Sequence, residues 1–226
     1  MTATLACYAC GEVYDRGQRA RCVCGEPLWF ETNVETFEWE TLPDAPGQWR
    51  YESVLPVAAP NDATREETDS STMSYSPTET AVTSSGIAGG AGGTPLVRTP
   101  GLDEVAGCRT YLKDEGQNPT GSFKDRGSAV GVAAAARRER VVGTVSHGNM
   151  AMSIAAHAAS ADIPCVVLVP ADISETRLRL IGQYDPLIVR VDGDYGELYE
   201  RSLELGPELG ISFVNSDSPL RVAGQA

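Results

Sequence analysis

This chain has only two lysines, and both lie in the segment from Lys113 to Gly127, KDEGQNPTGSFKDRG. Residues 118–121 (NPTG) predict a turn, Ser122 can cap a helix, and Lys124 stands where that helix should begin. The positive end of the helix dipole, together with any burial, lowers the pKa of a lysine amine at this position. Because a neutral amine attacks an aldehyde, we predict that Lys124 is a nucleophile toward a carbonyl compound.

The next residues extend this candidate site. Asp125 favours the first helical turn, and Arg126 is available to pair with a carboxylate. A second cluster is TVSHGNMAMS at 144–153. Here we expect a strand to end, a glycine to turn the chain and a helix to begin. The backbone N–H groups at such a helix start can bind an anion. His147 in this loop is an acid or base near neutral pH or a local hydrogen-bonding residue. His157 follows in an alanine-rich helix, where packing is expected.

Four of the six cysteines are crowded near the amino terminus, as Cys7 and Cys10 and then Cys22 and Cys24. Two such pairs, separated by eleven residues, can bring four thiolates to one tetrahedral ion in a zinc ribbon. The second pair is CxC where CxxC is the commoner spacing. A shell of four thiolates has no open position, so we predict a structural zinc site and no catalytic role for it.

The elements that must position these residues are strands alternating with helices. Four apolar runs rich in β-branched residues, at 141–146, 164–169, 187–191 and 211–214, predict strands, and 110–113 adds another. Helices are expected at 125–140, 149–161, 174–184 and 195–205. This order predicts an α/β fold with an open, mostly parallel sheet and helices on both faces. In such sheets ligands bind beyond the carboxyl ends of the strands.

Composition divides the chain into four parts. We predict a zinc ribbon at 1–30, a connecting segment at 31–57, a flexible acidic Ser/Thr/Gly linker at 58–93 and an enzyme domain at 94–226. The linker has hardly any large apolar side chain and cannot bury enough surface to fold. Residues 86–93 would then form a mobile entry to the enzyme domain.

The net charge of −13 argues against binding to nucleic acid or anionic membranes. No stretch approaches the roughly 20 apolar residues that span a bilayer, and no basic region with an apolar core begins the chain, so we expect a cytoplasmic protein. The acidic excess with sixteen arginines and only two lysines suits a halophilic protein, or alternatively an ordinary acidic one.

The string NPTGSFKDRG at 118–127 resembles the Schiff-base motif of fold-type-II pyridoxal-phosphate enzymes, most closely threonine synthases. SHGNM at 146–150 resembles their asparagine loop, with His147 and Met150 in place of small hydroxyl residues. Weaker similarities are WRY at 49–51, GTPL at 93–96 and RVAGQ at 221–225. The resemblance implies that Lys124 carries the cofactor as a Schiff base and moves protons. It also implies that the cofactor is bound by Lys124, Asn149 and Ser122. The residues that it implies for substrate binding are Ser146, His147, Gly148, Ser153 and Arg126.

The implied reaction is that of a lyase in threonine biosynthesis, which converts O-phospho-L-homoserine and water to L-threonine and phosphate. The alternatives are amino-acid dehydration, a cysteate synthase-like replacement, or a non-catalytic remnant that needs a second chain. Members of the family continue into a glycine-rich phosphate loop, which has no counterpart after the asparagine loop here. We therefore expect a complementary C-terminal chain or a homodimer as partner, in addition to a small phosphorylated amino acid.

Overall fold

We analysed a computed structural model that describes residues 4–15, 21–32, 37–42, 44–59, 90–138 and 140–225. The strands are β1 (Thr4–Cys7), β2 (Val13–Tyr14), β3 (Leu28–Glu31), β4 (Leu96–Arg98), β5 (Tyr111–Lys113), β6 (Val141–Val145), β7 (Cys165–Pro170), β8 (Leu187–Val191) and β9 (Ile211–Phe213). The helices are α1 (Asp103–Ala106), α2 (Lys124–Ala136), α3 (Asn149–Ser160), α4 (Glu175–Gly182), α5 (Tyr195–Leu209) and α6 (Pro219–Gln225).

Strands β8, β7, β6 and β9 form, in that order, a parallel sheet, which confirms the predicted α/β architecture. Alternate residues of β7 serve opposite faces. Val167 and Val169 join the apolar cluster that contains Ile154 of α3, whereas Leu168 packs with Leu198 of α5. The expected helices on both faces are therefore present, and each face has its own apolar core.

The helix ends follow recognisable capping signals. At the start of α5, Asp194 accepts a hydrogen bond from the backbone N–H of Glu197, whose side chain in turn accepts one from the backbone N–H of Asp194. Helix α5 extends to Leu209, four residues beyond the predicted end, because Pro207 is accommodated in the last turns and the helix ends at Gly210 with φ of 70°. Helix α2 is shorter than predicted and ends at Ala136. The other predicted elements agree with the observed ones to within two residues at each end, whereas α1, α6 and β4 were not predicted.

The predicted linker lies mostly outside the described residues, which include only 58–59 and 90–93 of it. Ala91 is fully buried beside Trp49 and Ala129. The N–H of Gly92 donates to Asn118 Oδ1 over 2.9 Å. Residues 90–93 therefore belong to the packed enzyme domain, and this correction arises because small residues can pack closely against a helix without a large apolar side chain.

The amino-terminal unit is a three-stranded antiparallel ribbon with β1 between β2 and β3. Its buried cluster consists of Leu5, Cys7, Cys22 and Leu28.

Strands β4 and β5 form a separate antiparallel pair. Within the described ranges, no helix is long and apolar enough to cross a membrane.

Candidate active site and metal site

Lys124 is the first residue of α2, as predicted, and its side chain is half-buried. Its Nζ lies 4.4 Å from the centroid of the Phe123 ring, and no hydrogen-bond acceptor in the described part of the chain holds it. Burial, and then the positive charge of Arg221, lower the pKa of Lys124 below its ordinary value. The amine is thus chemically available.

The turn before Lys124 is fixed by hydrogen bonds. Gly121, with φ of 79°, donates its N–H to the Asn118 carbonyl over 2.8 Å. The Asn118 side chain donates to both the carbonyl and the carboxylate of Glu115, each over 2.9 Å. Ser122 is buried, and its Oγ accepts the N–H of Lys124 over 3.4 Å, a long cap contact. These contacts restrict the backbone that presents the amine.

A buried polar cluster joins the first turn of α2 to α3. Asp125 is fully buried and accepts hydrogen bonds from the N–H and Oγ1 of Thr120, each 2.7 Å long, and from Ser153 Oγ at 2.5 Å. His157 Nε2 approaches its Oδ1 to 3.4 Å without the alignment of a hydrogen bond. Burial raises the pKa of Asp125, but the proximity of His157 and the hydrogen bonds from Ser153 and Thr120 outweigh it, so the pKa is lowered.

Arg126 forms a two-pronged ion pair with Glu115. Its Nε and Nη2 donate to the two carboxylate oxygens over 2.8 and 2.7 Å, and Nη2 also approaches Thr94 Oγ1 at 3.2 Å. The Arg126 guanidinium, opposed in part by burial, lowers the pKa of Glu115 to about 2. This pairing realises the predicted carboxylate partner, and it engages Nε and Nη2, two of the three nitrogens that the predicted substrate-binding role could use.

The asparagine loop connects β6 to α3. Ser146, His147 and Gly148 are half-buried, and Asn149 is exposed at the first position of α3. Ser146 Oγ accepts the N–H of Gly148 over 3.3 Å. His147 Nδ1 is buried and has no hydrogen-bond partner within the described ranges. An added Cβ at Gly148 would meet nothing within 4 Å there, so the loop leaves room for a bound group.

The two predicted clusters meet at one edge of the sheet. Helix α2 leads into β6 and α3 follows it, so both helices begin at the carboxyl end of that strand, and the contact of Asp125 with Ser153 confirms their proximity. Lys124 and Asn149 are therefore at the same edge. Ser153 is fully buried against Asp125, and its placement supports a positioning role better than the predicted contact with substrate.

Arg221 on α6 is a candidate site residue for which the sequence alone predicted no role. Its guanidinium is buried, with Nη1 donating to the Ser216 carbonyl over 2.8 Å, whereas Nε and Nη2 have no hydrogen-bond partner among the described residues. Burial lowers the pKa of Arg221 to about 10, with the Tyr195 and Asp217 groups opposing the shift. A buried arginine with two unfilled donor groups is unfavourable unless an acceptor reaches it, and a charged acceptor would form the strongest contact. Arginine is usually exposed, so the string RVAGQ alone gave no signal of this burial.

The four predicted zinc ligands converge in the ribbon. Their sulfur atoms all lie within 4.8 Å of one another, with Cys7 to Cys24 and Cys10 to Cys22 both 3.6 Å apart. Four thiolates around tetrahedral zinc at about 2.3 Å would lie about 3.8 Å apart, whereas a disulfide is about 2.05 Å long. The CxC pair therefore reaches the same geometry as the CxxC pair, and the donor set fits zinc.

Two glycines shape the turns that carry these ligands. Gly11 and Gly25 have φ of 72° and 91°, and their N–H groups donate to the carbonyls of Cys7 and Cys22. The N–H of Cys24 and then the Tyr14 hydroxyl donate to the Cys22 sulfur and lower the pKa of that thiol to about 6. A thiolate is the form that binds a metal.

Comparison with known proteins agrees with this geometry. A family described as "Pyridoxal-phosphate dependent enzyme" matches residues 87–226. Threonine synthase of Mycobacterium leprae is 43% identical over 137 residues, which are 59% of this chain and 38% of that protein. Threonine synthase of Methanocaldococcus jannaschii is 32% identical over 228 residues, 97% of this chain and 51% of that one. The crystal structure of a pyridoxal 5'-phosphate-dependent aspartate racemase superposes with a TM-score of 0.52 at 28% identity, covering 58% of this chain and 42% of that one.

The parallel α/β sheet, with a lysine at the start of a helix beyond the edge of that sheet, therefore defines the class of protein. The chain belongs to the pyridoxal-phosphate-dependent enzymes, with the fold-type-II architecture, and within them it is threonine synthase-like. It spans about half or less of the length of these curated relatives.

Proposed function

We propose that this chain provides the lysine-bearing part of a threonine synthase-like carbon–oxygen lyase that converts O-phospho-L-homoserine and water to L-threonine and phosphate. The observation that carries the proposal is the available Lys124 amine beside Arg221, a buried arginine whose Nε and Nη2 no residue in the described ranges fills. The similarity to threonine synthases supports the choice of substrate class.

The residues present fit pyridoxal phosphate. Lys124 would hold it, Asn149 offers an amide at the neighbouring helix start, and Gly148 leaves space for it. When bound, this cofactor supplies an electron sink for carbanions. A complementary C-terminal part would provide further contacts to the cofactor phosphate.

The chain's own groups have distinct tasks. The lowered pKa of Lys124 provides neutral amine that can take a proton from one substrate carbon and return it to another. Arg221 would bind the phosphate of the substrate through Nε and Nη2. Asp125 and its partners would orient the helix that carries Lys124. We propose that the ribbon holds a structural zinc ion and that the protein acts in the cytoplasm.

Reductive trapping tests the assignment of Lys124. The chain has two lysines, so Lys113→Arg is a matched control for Lys124→Arg. Lys113 Nζ donates to the Thr94 carbonyl, whereas Lys124 Nζ has no hydrogen-bond acceptor among the residues that the structure describes. After incubation with pyridoxal phosphate near neutral pH and borohydride reduction, we expect a pyridoxyl group on Lys124 in the parent chain and in Lys113→Arg, and loss of that adduct in Lys124→Arg. Equal labelling of Lys113, or none at Lys124, would refute the assignment.

A second candidate is a related lyase that dehydrates an amino acid or replaces a β substituent. His147 favours it, because its imidazole stands where a small hydroxyl residue is usual in the resembled loop. Met150, the other departure from the resembled loop, gives no such support, since its side chain is buried in the core and its sulfur is 3.5 Å from Ser216 Oγ. Supplying O-phosphohomoserine, O-phosphoserine and threonine in turn, and measuring phosphate and ammonia, separates the two. Phosphate from O-phosphohomoserine with threonine as product supports the first candidate, and ammonia from threonine supports the second.

A further inference from the structure

The ribbon rests on the part of the α/β unit that carries Arg221. Strand β3 packs against α6, and Leu5 and Phe30 of the ribbon face Phe213 and Leu220 across the interface. A cavity of about 70 Å³ lies between them, so the apolar packing is incomplete. Polar contacts at the edge of this interface therefore contribute to how the ribbon is held.

Arg21 makes such a contact. It directly precedes the zinc ligand Cys22, and its Nη1 donates to the Gly25 carbonyl in the same turn over 3.0 Å. Its Nη2 reaches Asp217 Oδ2 at 3.3 Å, and Tyr199 donates its hydroxyl proton to the same oxygen over 2.6 Å. The Asp217 carboxylate is thus held from two sides, by Arg21 of the ribbon and by Tyr199 of α5.

Asp217 is a neighbour of Arg221 but is not paired with it. Ser216 precedes Asp217 in the chain, and its carbonyl accepts a hydrogen bond from Arg221 Nη1. The charge of Asp217 raises the pKa of Arg221, against the effect of burial. Oδ1 of Asp217 and Nε and Nη2 of Arg221 are all buried without hydrogen-bond partners in the described part of the molecule. Two neighbouring groups of opposite charge, each with unfilled hydrogen-bonding capacity, should pair unless other contacts hold them apart.

We propose that the metal-folded ribbon is a latch in which Arg21 holds the Asp217 carboxylate away from Arg221, which keeps Arg221 free to bind the phosphate of the substrate. The proposal rests on the role of Arg221 in the proposed function. A ribbon of this size folds only with its metal, so loss of zinc would release Arg21. Asp217 would then keep only its hydrogen bond from Tyr199. Its carboxylate would turn to Arg221 and mask it, and the affinity for the anion would fall.

The test measures binding of inorganic phosphate to the whole chain by titration calorimetry. We expect Arg21→Ala to weaken phosphate binding by about fivefold, the lower end of typical coupling between sites. Removal of the metal with a chelator should have at least as large an effect. Asp217→Asn should bind phosphate as tightly as the parent or more tightly, and it should abolish the effects of both Arg21→Ala and metal removal. The matched control is Arg201→Ala, which removes an exposed ion pair with Glu204 on α5.

Three outcomes would overturn the latch. Phosphate affinity that depends on Arg221, as shown by Arg221→Met, but not on Arg21 or the metal would refute the latch and leave the proposed function intact. Weakening by Asp217→Asn to the same extent as by Arg21→Ala would show that Asp217 positions the site and does not compete for Arg221. Phosphate affinity that is unchanged in Arg221→Met would remove the role of Arg221 and the latch together, while trapping at Lys124 would still test the proposed function.

Discussion

The ribbon and the α/β unit reach their folds by different means. The buried cluster of the ribbon has four residues, of which Cys7 and Cys22 are themselves candidate metal ligands. The main cluster of the α/β unit includes thirteen buried residues, centred on α3 and β7, with none of the four ligands among them. We propose that metal coordination replaces an apolar core in the ribbon, whereas burial of apolar surface stabilises the α/β unit.

Removal of the metal should produce the largest difference between the two units. Structural zinc contributes about 10–16 kcal/mol of apparent binding free energy in small fingers, which is folding free energy there. We expect chelation, or Cys22→Ser, to abolish the near-ultraviolet circular dichroism of the Tyr8–Trp29 pair, whose rings are 5.7 Å apart in a T-shaped arrangement. The urea midpoint of the α/β unit should change little. Survival of the aromatic signal without metal would contradict the comparison.

Truncation of a core side chain should destabilise the α/β unit and leave the ribbon unchanged. Ile154 is fully buried between α3 and the sheet, and Ile154→Ala should lower the free energy of unfolding of the α/β unit by about 2–5 kcal/mol. Leu180→Ala, at a half-exposed position of α4, is the control and should cost much less. Urea titration followed by far-ultraviolet circular dichroism measures both, and metal content should stay at the parent value. Loss of metal from Ile154→Ala would show that the two units fold together.

The smallest expected effect concerns the Glu115–Arg126 pair and depends on pH. The pKa of Glu115 is about 2 in the folded chain and 4.5 in its ordinary state. A carboxylate with a lowered pKa stabilises the fold above the ordinary value, and this contribution is lost as pH falls from about 4.5 toward 2. Glu115→Gln should therefore reduce stability at neutral pH and flatten the decline in acid. A pH series of urea titrations checks this, and an unchanged acid slope would contradict the pairing.

The sequence predicted the alternating strands and helices of the parallel sheet well because their signals are local. Runs of β-branched residues predicted β6 to β9, and a turn followed by a helix start placed Lys124 at the beginning of α2. The cysteine spacing predicted the ligand cluster. The extension of α5 past Pro207 and the packing of residues 90–93 were not predicted, because both depend on what surrounds the segment.

The amino-acid sequence by itself determined the alternation of strands and helices, the thiol cluster and the lysine at the helix start, since neighbouring residues specify these features. Only the tertiary structure decided the partners: Asp125 meets His157, Arg126 is held by Glu115, and Arg221 is buried with donors that no described residue fills. Arg21 and Asp217 are 196 residues apart in the chain and 3.3 Å apart in space. Side-chain spacing defines which face of an element a residue occupies, but the packing of elements on one another determines which charges meet.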